Sequence, residues 1–437
     1  MIHEHPAELL QRLIQFDTTN PPGNEAECLH YIEELIQAAG LETTLLGRSA
    51  NRPNLIARLP GRGEAPPLLL QGHVDVVTTA GQEWIHPPFG GEIHDGYVWG
   101  RGALDMKGGV AMMICALLTV QASGSPPAGD IILCLMSDEE AGAVHGARYL
   151  VSEHPEQFEG VRHGIGEFGG FPLEIGGTTF YPIQVAERVG CQLEVTIRGK
   201  GGHGALPLRG GAMGKLGRIL SRLDTRRTPI HITPVTRMMV GAIAENTSPP
   251  TSLIMRGLLN PRLTDRLIRL LGERLKTLEP VFRNTVNATV VKGGHKTNVV
   301  PSEITLQLDG RMLPGWSPEK MIAEVRDLIG EEVEIRQIGR GMPQPLNPDM
   351  SLFPLLADIL REQEPTAVPI PFMLPAVTDG RYFSQLGIQH YGFLPLNLPK
   401  EFNFSSFIHS ANERVPVQSL HFGTRAFVSL LQRYRLS

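Results

Sequence analysis

The chain has 437 residues, of which 41% are hydrophobic, and its formal net charge is −5. A chain of this length is expected to form two or three domains of about 100–200 residues each, and we expect two. The acidic balance, with dispersed lysines and arginines, excludes a typical nucleic-acid-binding protein. The N-terminal segment lacks the features of a signal peptide, and no apolar run approaches the roughly 18 residues of a membrane span. We therefore predict a cytoplasmic protein, with no membrane partner, that acts on a small molecule or peptide.

The first part of the chain alternates helical and strand patterns. Helices are predicted over 6–16 and 25–39, and strands over 41–46 and 54–59. The next run, Leu68-Leu-Leu-Gln-Gly-His-Val-Asp-Val-Val77, is apolar on both faces, which is typical of a buried strand in a parallel sheet. It carries His73 and Asp75 at its end, where α/β proteins commonly bind ligands. Asp75 could orient the imidazole of His73, because residues two apart on an extended segment point the same way.

Carboxylates occupy corresponding positions further along the chain. Asp105 precedes a helix predicted over 110–120, Glu139 and Glu140 end an apolar strand, and Glu167 ends a short strand-like segment. Alternating strands and helices indicate a largely parallel sheet, whose strand ends converge at one edge. We therefore expect these carboxylates to meet His73.

The pattern changes near Val189. Alternating strands (191–198, 285–291, 302–312 and 333–338) and helices (211–223, 264–282 and 318–329) predict an α+β module. The patterns after residue 343 return to helices and strands that could complete the first domain. The predicted fold is thus an α/β domain with a helix-flanked, mostly parallel sheet, formed by 1–187 and 343–437, and an inserted α+β domain at 188–342.

The expected cluster has the composition of a metal site. One histidine with several carboxylates and no thiolate suits Zn²⁺, with Co²⁺ or Mn²⁺ as substitutes. A shared carboxylate can bridge two ions about 3.5–4 Å apart, and Asp105 is the candidate bridge. Glu139 and Glu140 cannot both point at one atom from an extended strand, so one could bind metal while the other serves as general base for a metal-bound water. These residues alone do not show which glutamate binds metal and which is the general base. Together they indicate amide hydrolysis.

Each feature also has a structural interpretation. A His-x-Asp pair on a strand is more often structural, an acidic triple usually belongs to a solvated loop, and an aspartate before a helix commonly caps it. The prediction of a metal site depends on the joint placement of these residues at strand ends.

Three segments resemble the signature segments of a known family, in the same order and at similar spacing: Gly72-His-Val-Asp75, Trp99-Gly-Arg-Gly-Ala-Leu-Asp-Met-Lys-Gly-Gly109 and Ser137-Asp-Glu-Glu-Ala-Gly142. The family comprises di-zinc exopeptidases and deacylases, including aminoacylase, acetylornithine deacetylase, succinyl-diaminopimelate desuccinylase and glutamate carboxypeptidase. The resemblance extends over nearly the whole chain. It implies two Zn²⁺ ions, with Asp105 bridging, Asp75 supporting His73, and Glu139 as the general base. The implied metal ligands are His73, Asp105, Glu140, Glu167 and His409.

The last of these ligands depends on the resemblance alone. His409 lies in Phe407-Ile-His-Ser-Ala-Asn-Glu-Arg414, which matches the family segment that carries the C-terminal ligand. Patterns within the sequence would not select it from among 15 histidines.

The segment at Glu167 departs from the family pattern. Many family members have an aspartate followed by a glutamate at these two positions, whereas this chain has Glu167 followed by Phe168.

The inserted module resembles the family's lid and dimerisation domain, so the resemblance implies a homodimer. His203, in a glycine-rich segment, would reach the other subunit's active site and help to stabilise the oxyanion. Asn298 and Arg311 match lid residues that contact the substrate. Arg381 lies in Thr378-Asp-Gly-Arg381, a further substrate-side motif, although Ala376-Val377 replaces its usual glycine-rich lead-in.

The predicted function is zinc-dependent hydrolysis of an amide bond in a peptide or N-acyl amino acid that bears a free carboxylate. A carboxypeptidase or N-acyl-amino-acid deacylase is favoured, and a dipeptidase is the alternative. A non-catalytic or single-metal binding protein on the same scaffold is the rival from another class. The filled ligand and base positions argue against that rival.

Overall fold

A computed structural model describes residues 2–275, 278–339 and 341–435. It separates into two compact units. The first unit comprises the described parts of Met1–Val185, Asp349–Phe372 and Thr378–Ser437, and the second comprises those of Ala186–Pro348 and Met373–Val377.

The described helices, in chain order, are α1 (Pro6–Ile14), α2 (Ala26–Ala38), α3 (Lys107–Ala122), α4 (Ala147–Glu153), α5 (Ala212–Thr225), α6 (Pro234–Glu245), α7 (Thr251–Leu258), α8 (Pro261–Leu271), α9 (Pro318–Ile329), α10 (Phe353–Gln363), α11 (Gly380–Phe383), α12 (Phe404–Phe407) and α13 (Val417–Arg433). Among these described helices, none has the length and apolar character needed to cross a membrane.

The described strands are β1 (Glu42–Leu46), β2 (Asn54–Leu59), β3 (Leu68–His73), β4 (Ile93–His94), β5 (Tyr97–Trp99), β6 (Ile131–Met136), β7 (His163–Gly166), β8 (Leu173–Ile175), β9 (Thr178–Glu187), β10 (Val189–Arg198), β11 (Gly202–His203), β12 (Thr285–Lys292), β13 (Val299–Val300), β14 (Glu303–Met312), β15 (Glu334–Gln337), β16 (Val368–Leu374), β17 (Gln389–Gly392) and β18 (Arg414–Pro416).

The largest sheet has the strand order β1-β2-β6-β3-β7-β17-β9-β16, with β8 paired to β9. Its centre is parallel, because β3 runs parallel to both β6 and β7, and β7 runs parallel to β17. The pairs β1–β2 and β2–β6 are antiparallel. Every residue of β3 is buried, as expected for a strand that is covered on both faces. The carboxyl ends of β3 and β7 therefore lie side by side.

The second unit contains the antiparallel sheet β12-β14-β10-β15. Exposure alternates along β10, whose apolar residues join a core with side chains from α5 and α9. Both parts of the fold-class prediction are confirmed: a helix-flanked, mostly parallel sheet and an α+β module.

Several predicted elements differ from the structure. The helix predicted over 264–282 is wrong beyond Leu271, because Gly272 adopts a positive φ of 46° that glycine tolerates well. Short 3₁₀ segments follow at Gly272–Leu275 and Glu279–Val281, while positions 276 and 277 of that prediction lie outside the described residues. The elements α6, α7, β9 and β16 were not predicted. Pro182 interrupts the sequence of β9, and a proline argues against a strand in the interior of a sheet.

Candidate metal centre and active site

His73 lies at the carboxyl end of β3, and its side chain is almost completely buried. Its Nε2 atom is 3.2 Å from Oδ1 of Asp105 and 3.4 Å from Oε2 of Glu167. Glu167 directly follows β7, the parallel neighbour of β3. Two strand ends and the loop before α3 therefore bring together three potential ligands: His73, Asp105 and Glu167.

A second group of three includes the same aspartate. Nε2 of His409 is 3.2 Å from Oδ2 of Asp105 and 3.2 Å from Oε1 of Glu140. Asp105 thus presents Oδ1 to one histidine and Oδ2 to the other. This is the arrangement in which a single carboxylate can serve two metal ions.

The loop that carries Asp105 is held by a buried glutamate. Oε1 of Glu413 accepts hydrogen bonds from the backbone N–H groups of Leu104 and Asp105, at 2.7 and 3.0 Å. Its Oε2 accepts from the backbone N–H of Gly102 at 3.1 Å and lies 2.7 Å from Nη1 of Arg101. Both members of this ion pair are buried, so the position of Asp105 depends on a carboxylate from the C-terminal part of the chain.

Asp75 connects the two glutamates to His73. It accepts hydrogen bonds from the backbone N–H groups of Glu139 and Glu140, both at 3.1 Å, and from Nδ2 of Asn20 at 2.8 Å. Nδ1 of His73 lies 3.0 Å from the backbone carbonyl oxygen of Asp75 and 3.5 Å from its Oδ1. Asp75 therefore contacts the histidine through both its backbone and its carboxylate, and the carboxylate holds the turn that carries the two glutamates.

Asp138 stabilises the same turn from the other side. It has a positive φ of 73°, which is unusual for an aspartate, and its Oδ2 accepts from the backbone N–H of His145. Its Oδ1 accepts from Asn20 at 3.0 Å and lies 3.0 Å from Nη2 of Arg52. Arg52 also pairs with the buried Glu25. This network fixes the backbone next to Glu139.

The side chains of the cluster share a negative electrostatic environment. Burial and nearby carboxylates, Glu167 first, raise the pKa of Glu139 well above its ordinary value. Hydrogen bonds to Asp105 and Glu140 raise the pKa of His409 to about 10. For His73 burial acts to lower the pKa, but hydrogen bonds to neighbouring carboxylates outweigh it, and the pKa lies well above 6.5. Such a site favours bound positive charge.

The donor set fits a divalent cation. Carboxylate oxygens and imidazole nitrogens are the ligands that zinc and related ions accept, and the potential ligand atoms of each group lie within 4.8 Å of one another. A further group combines His73 with Glu139 and Glu140. Both glutamates therefore lie at the cluster, and geometry alone does not separate a ligand from a base.

Arg381 lies in the first unit, near the buried carboxylate of Asp379. Its guanidinium lies 4.7 Å from the ring centre of Tyr382, and its Nη1 has no hydrogen-bond partner among the described residues. The same holds for both carboxylate oxygens of Asp379. Burial raises the pKa of Asp379 to about 7, although the nearby Arg381 opposes the shift. These polar atoms are thus buried without a hydrogen-bond partner among the described residues.

The other predicted substrate residues belong to the second unit. His203 is exposed on β11, where its Nδ1 accepts from the backbone N–H of Ala205. The backbone N–H of Gly204 donates to the carbonyl oxygen of Asn298 at 2.8 Å, so His203 and Asn298 lie on adjoining segments. Arg311 is on β14, and its Nε is 3.2 Å from Oδ2 of Asp309.

Within the first unit, the structure brings together seven predicted residues: His73, Asp75, Asp105, Glu139, Glu140, Glu167 and His409.

Several residues of the site were not predicted from the sequence. Glu413 follows the predicted ligand His409 by four positions, but nothing in the sequence pairs it with the loop before α3. Asn20, Asp138 and Asp379 act through contacts with distant segments or through burial. A single sequence contains no periodicity or spacing that would reveal them.

These features define a metal-dependent hydrolase, and comparison with known proteins gives the family. Residues 69–433 match the model of peptidase family M20/M25/M40. The chain belongs to this family, which confirms the resemblance found in the sequence. It is a metallo-hydrolase of peptides or N-acyl amino acids.

Three relatives illustrate the range of similarity. Probable carboxypeptidase S-like 2 of Dictyostelium discoideum is 28% identical over 81% of this chain and 69% of its own length. N-fatty-acyl-amino acid synthase/hydrolase PM20D1 of Xenopus tropicalis is 27% identical over 84% and 72%. Succinyl-diaminopimelate desuccinylase of Maricaulis maris is 27% identical over 98% and 96%.

Solved structures show the same fold. The metallo-carboxypeptidase Sso-CP2 of Sulfolobus solfataricus superposes with a TM-score of 0.69 at 17% identity, covering 98% of each chain. YXEP of Bacillus subtilis, described as a dinuclear metal-binding peptidase, gives 0.64 at 14% identity over 99% of this chain and 98% of its own.

Proposed function

We propose that this protein is a di-zinc hydrolase that cleaves an amide bond of a peptide or N-acyl amino acid bearing a free carboxylate. The observation that carries the proposal is the position of Asp105, whose two oxygens each lie 3.2 Å from a different histidine. A carboxylate shared in this way is suited to a pair of ions.

The proposed ions are Zn²⁺, with Co²⁺ or Mn²⁺ as substitutes. One would be held by His73, Asp105 and Glu167, and the other by Asp105, Glu140 and His409. When bound there, the ions would polarise the scissile carbonyl group and lower the pKa of a water molecule. The name of the Bacillus relative supports a dinuclear centre.

Glu139 is the proposed general base. It lies at the cluster but belongs to neither group that includes Asp105. Its carboxylate would accept a proton from water while oxygen attacks the amide carbon, then pass the proton to the departing nitrogen. The C–N bond breaks as that proton is delivered, and the products are an acid and an amine.

Four further residues are proposed to act on the substrate. Arg381, Asn298 and Arg311 would bind its polar groups, because a guanidinium pairs well with a carboxylate. His203 would donate a hydrogen bond to the developing oxyanion in the site of the other copy of a homodimer formed through the inserted lid domain. The cytoplasmic location stays a prediction of the sequence.

The names of the relatives favour a carboxypeptidase or N-acyl-amino-acid hydrolase. The direct test is a panel of N-acyl amino acids, dipeptides and longer peptides, assayed with zinc-loaded protein whose metal content is measured in parallel. Hydrolysis of acylated single residues would identify a deacylase, and removal of C-terminal residues from longer peptides a carboxypeptidase. Activity on dipeptides alone would favour the dipeptidase alternative. Two bound ions with no turnover on any member of the panel would contradict the proposed substrate class.

The same panel tests the proposed base. Glu139→Gln keeps the size of the side chain but cannot accept the proton, so we expect turnover to fall by about 10²–10⁴-fold with unchanged zinc content. The exposed Glu159 provides the matched control, and Glu159→Gln should keep the wild-type rate. A Glu139→Gln variant with near-normal turnover would exclude Glu139 as the base.

A further inference from the structure

A separate group of potential ligands lies around the β4–β5 hairpin of the first unit. It consists of His86, Glu92 and His94, none of which belongs to the proposed active site. Oε2 of Glu92 is 2.7 Å from Nε2 of His94 and 3.7 Å from Nδ1 of His86. The two imidazole rings are stacked, with their centres 3.8 Å apart and their planes 10° from parallel. Two ring nitrogens and one carboxylate oxygen therefore converge on one small region.

The backbone holds this group in place. Glu92 and His94 are two residues apart on an extended segment, so their side chains project to the same side. Strand β4 pairs with β5, which places His94 opposite Tyr97. The Trp99 indole N–H donates to the carbonyl oxygen of His94 at 3.2 Å, and the Trp99 ring packs edge-on against His86. The three side chains thus belong to a braced hairpin.

The 2.7 Å contact between Nε2 of His94 and Oε2 of Glu92 has the length of a hydrogen bond, and it involves only one of the two histidines. One protonated histidine would satisfy Glu92, and a second imidazole stacked on the first would then gain no charge partner of its own. Two protonated rings in face-to-face contact would repel each other. Two neutral imidazoles with one carboxylate are instead a common ligand set for zinc.

We propose that His86, Glu92 and His94 bind a borderline divalent cation, with Zn²⁺ the expected ion and water completing its coordination. The side chains are 22%, 46% and 41% exposed, so an ion and its water ligands can reach them. Because each nitrogen lone pair lies in the plane of its ring, binding requires the two rings to turn out of the stack until both planes meet at the ion. Nickel and copper, which favour imidazole, should also bind, whereas Mg²⁺ and Ca²⁺ should not.

Such an ion would act as a structural clamp. It would tie the segment that contains His86 to β4, and through β4 to β5. Strand β5 pairs with β18 and leads directly into the Gly100–Asp105 loop that Glu413 holds. Binding should therefore stabilise this part of the folded protein, since a ligand that binds only the folded state raises its stability.

The test is zinc stoichiometry. Metal-free protein is dialysed to equilibrium against a series of buffered free-zinc concentrations, and bound zinc is counted by mass spectrometry of the metal. Wild type should bind one ion per chain more than His86→Asn, Glu92→Gln or His94→Asn, whatever number the active-site residues hold. His30→Asn, a substitution of an exposed histidine outside the group, is the matched control and should bind the wild-type number.

Two further readouts separate loss of a ligand from loss of structure. Circular dichroism identifies any variant that fails to fold. Glutamine has the same shape as glutamate, so the zinc content of Glu92→Gln decides the result if a histidine variant does not fold. The zinc-induced rise in Tm should be smaller in the three variants than in wild type, while turnover stays unchanged. Equal zinc content in wild type and in folded Glu92→Gln would overturn the proposal, without bearing on the catalytic centre.

Discussion

The backbone N–H of Glu139 donates to Oδ1 of Asp75 at 3.1 Å, and the same oxygen lies 3.5 Å from Nδ1 of His73. A ligand of one proposed ion and the backbone of the proposed general base thus meet at one carboxylate oxygen, beside the 3.0 Å contact of the His73 Nδ1 with the backbone carbonyl oxygen of Asp75. Asp75 is accordingly a residue that acts on the substrate through others. Its removal should affect metal affinity and turnover together.

Asp75→Asn tests this coupling. The variant preserves size, but its amide group can turn only one oxygen towards the N–H donors of Glu139, Glu140 and Asn20. We expect zinc affinity and kcat/KM each to fall by about 10–100-fold, as is typical when a group that supports the metal ligands is changed. Competition with a chromogenic chelator measures the affinity. Asp358→Asn, on the exposed surface of α10, is the control, and a similar loss in both variants would contradict the proposed role.

Glu413→Gln should destabilise the protein more than an equivalent change at the surface. Glu413 and Arg101 form a buried pair, and the glutamine would leave the Arg101 charge unpaired in the interior. Breaking a buried pair from one side costs about 3–5 kcal/mol, whereas an exposed pair contributes below about 1 kcal/mol. The exposed Arg433–Glu362 pair provides the matched control through Glu362→Gln. The free energy of unfolding in urea measures both, and equal losses would contradict the structural role of Glu413.

Glu413 also shows why the sequence predicts some parts of the site and not others. The strand before His73 was predicted because burial on both faces leaves a continuous apolar run. His73, Asp75 and Glu167 could then be placed, since each lies at or just beyond the end of a parallel strand of one sheet. Glu413 accepts hydrogen bonds from backbone N–H groups of a loop more than 300 positions earlier in the chain. No local sequence pattern indicates a contact between residues so far apart.

The same distinction applies to the fold. The alternation of β10 and β14 is visible in the sequence because each has one buried face. Helices α6 and α7 bury side chains within the second unit and were not predicted. His409 could be proposed only through family resemblance. Its positive φ of 58° and its contacts with Asp105 and Glu140 become visible only in three dimensions.

A mixing experiment tests whether His203 acts across a homodimer. His203→Ala alone and Asp105→Ala alone should each be nearly inactive, because one lacks the proposed oxyanion donor and the other the shared ligand. A heterodimer of the two variants would contain one site with both functions intact, so we expect up to about half of the wild-type activity per dimer. Differently tagged chains allow heterodimers to be isolated and their composition verified. Verified heterodimers without recovered activity would contradict the sharing of His203.

The pH dependence of stability should contain a contribution from His390. Burial lowers the pKa of this histidine to about 4, and Nε2 of Gln71 lies 2.9 Å from its Nε2, which requires His390 to accept. Below its unfolded pKa of about 6.5 the unfolded chain binds a proton that the folded protein does not, so stability falls as the pH decreases from about 6.5 to about 4. Between pH 7 and pH 5 this loss amounts to about 2 kcal/mol.

His390→Gln removes the titrating group while keeping an oxygen that can accept from Gln71. We therefore expect the free energy of unfolding of this variant to fall less than that of wild type between pH 7 and pH 5, by about 2 kcal/mol. Urea denaturation at the two pH values, with the same total zinc, measures the difference, and terms common to both proteins cancel. His30→Gln, at an exposed position, should retain the wild-type slope. Parallel pH profiles for wild type and His390→Gln would show that His390 takes up its proton equally in the folded and unfolded chains.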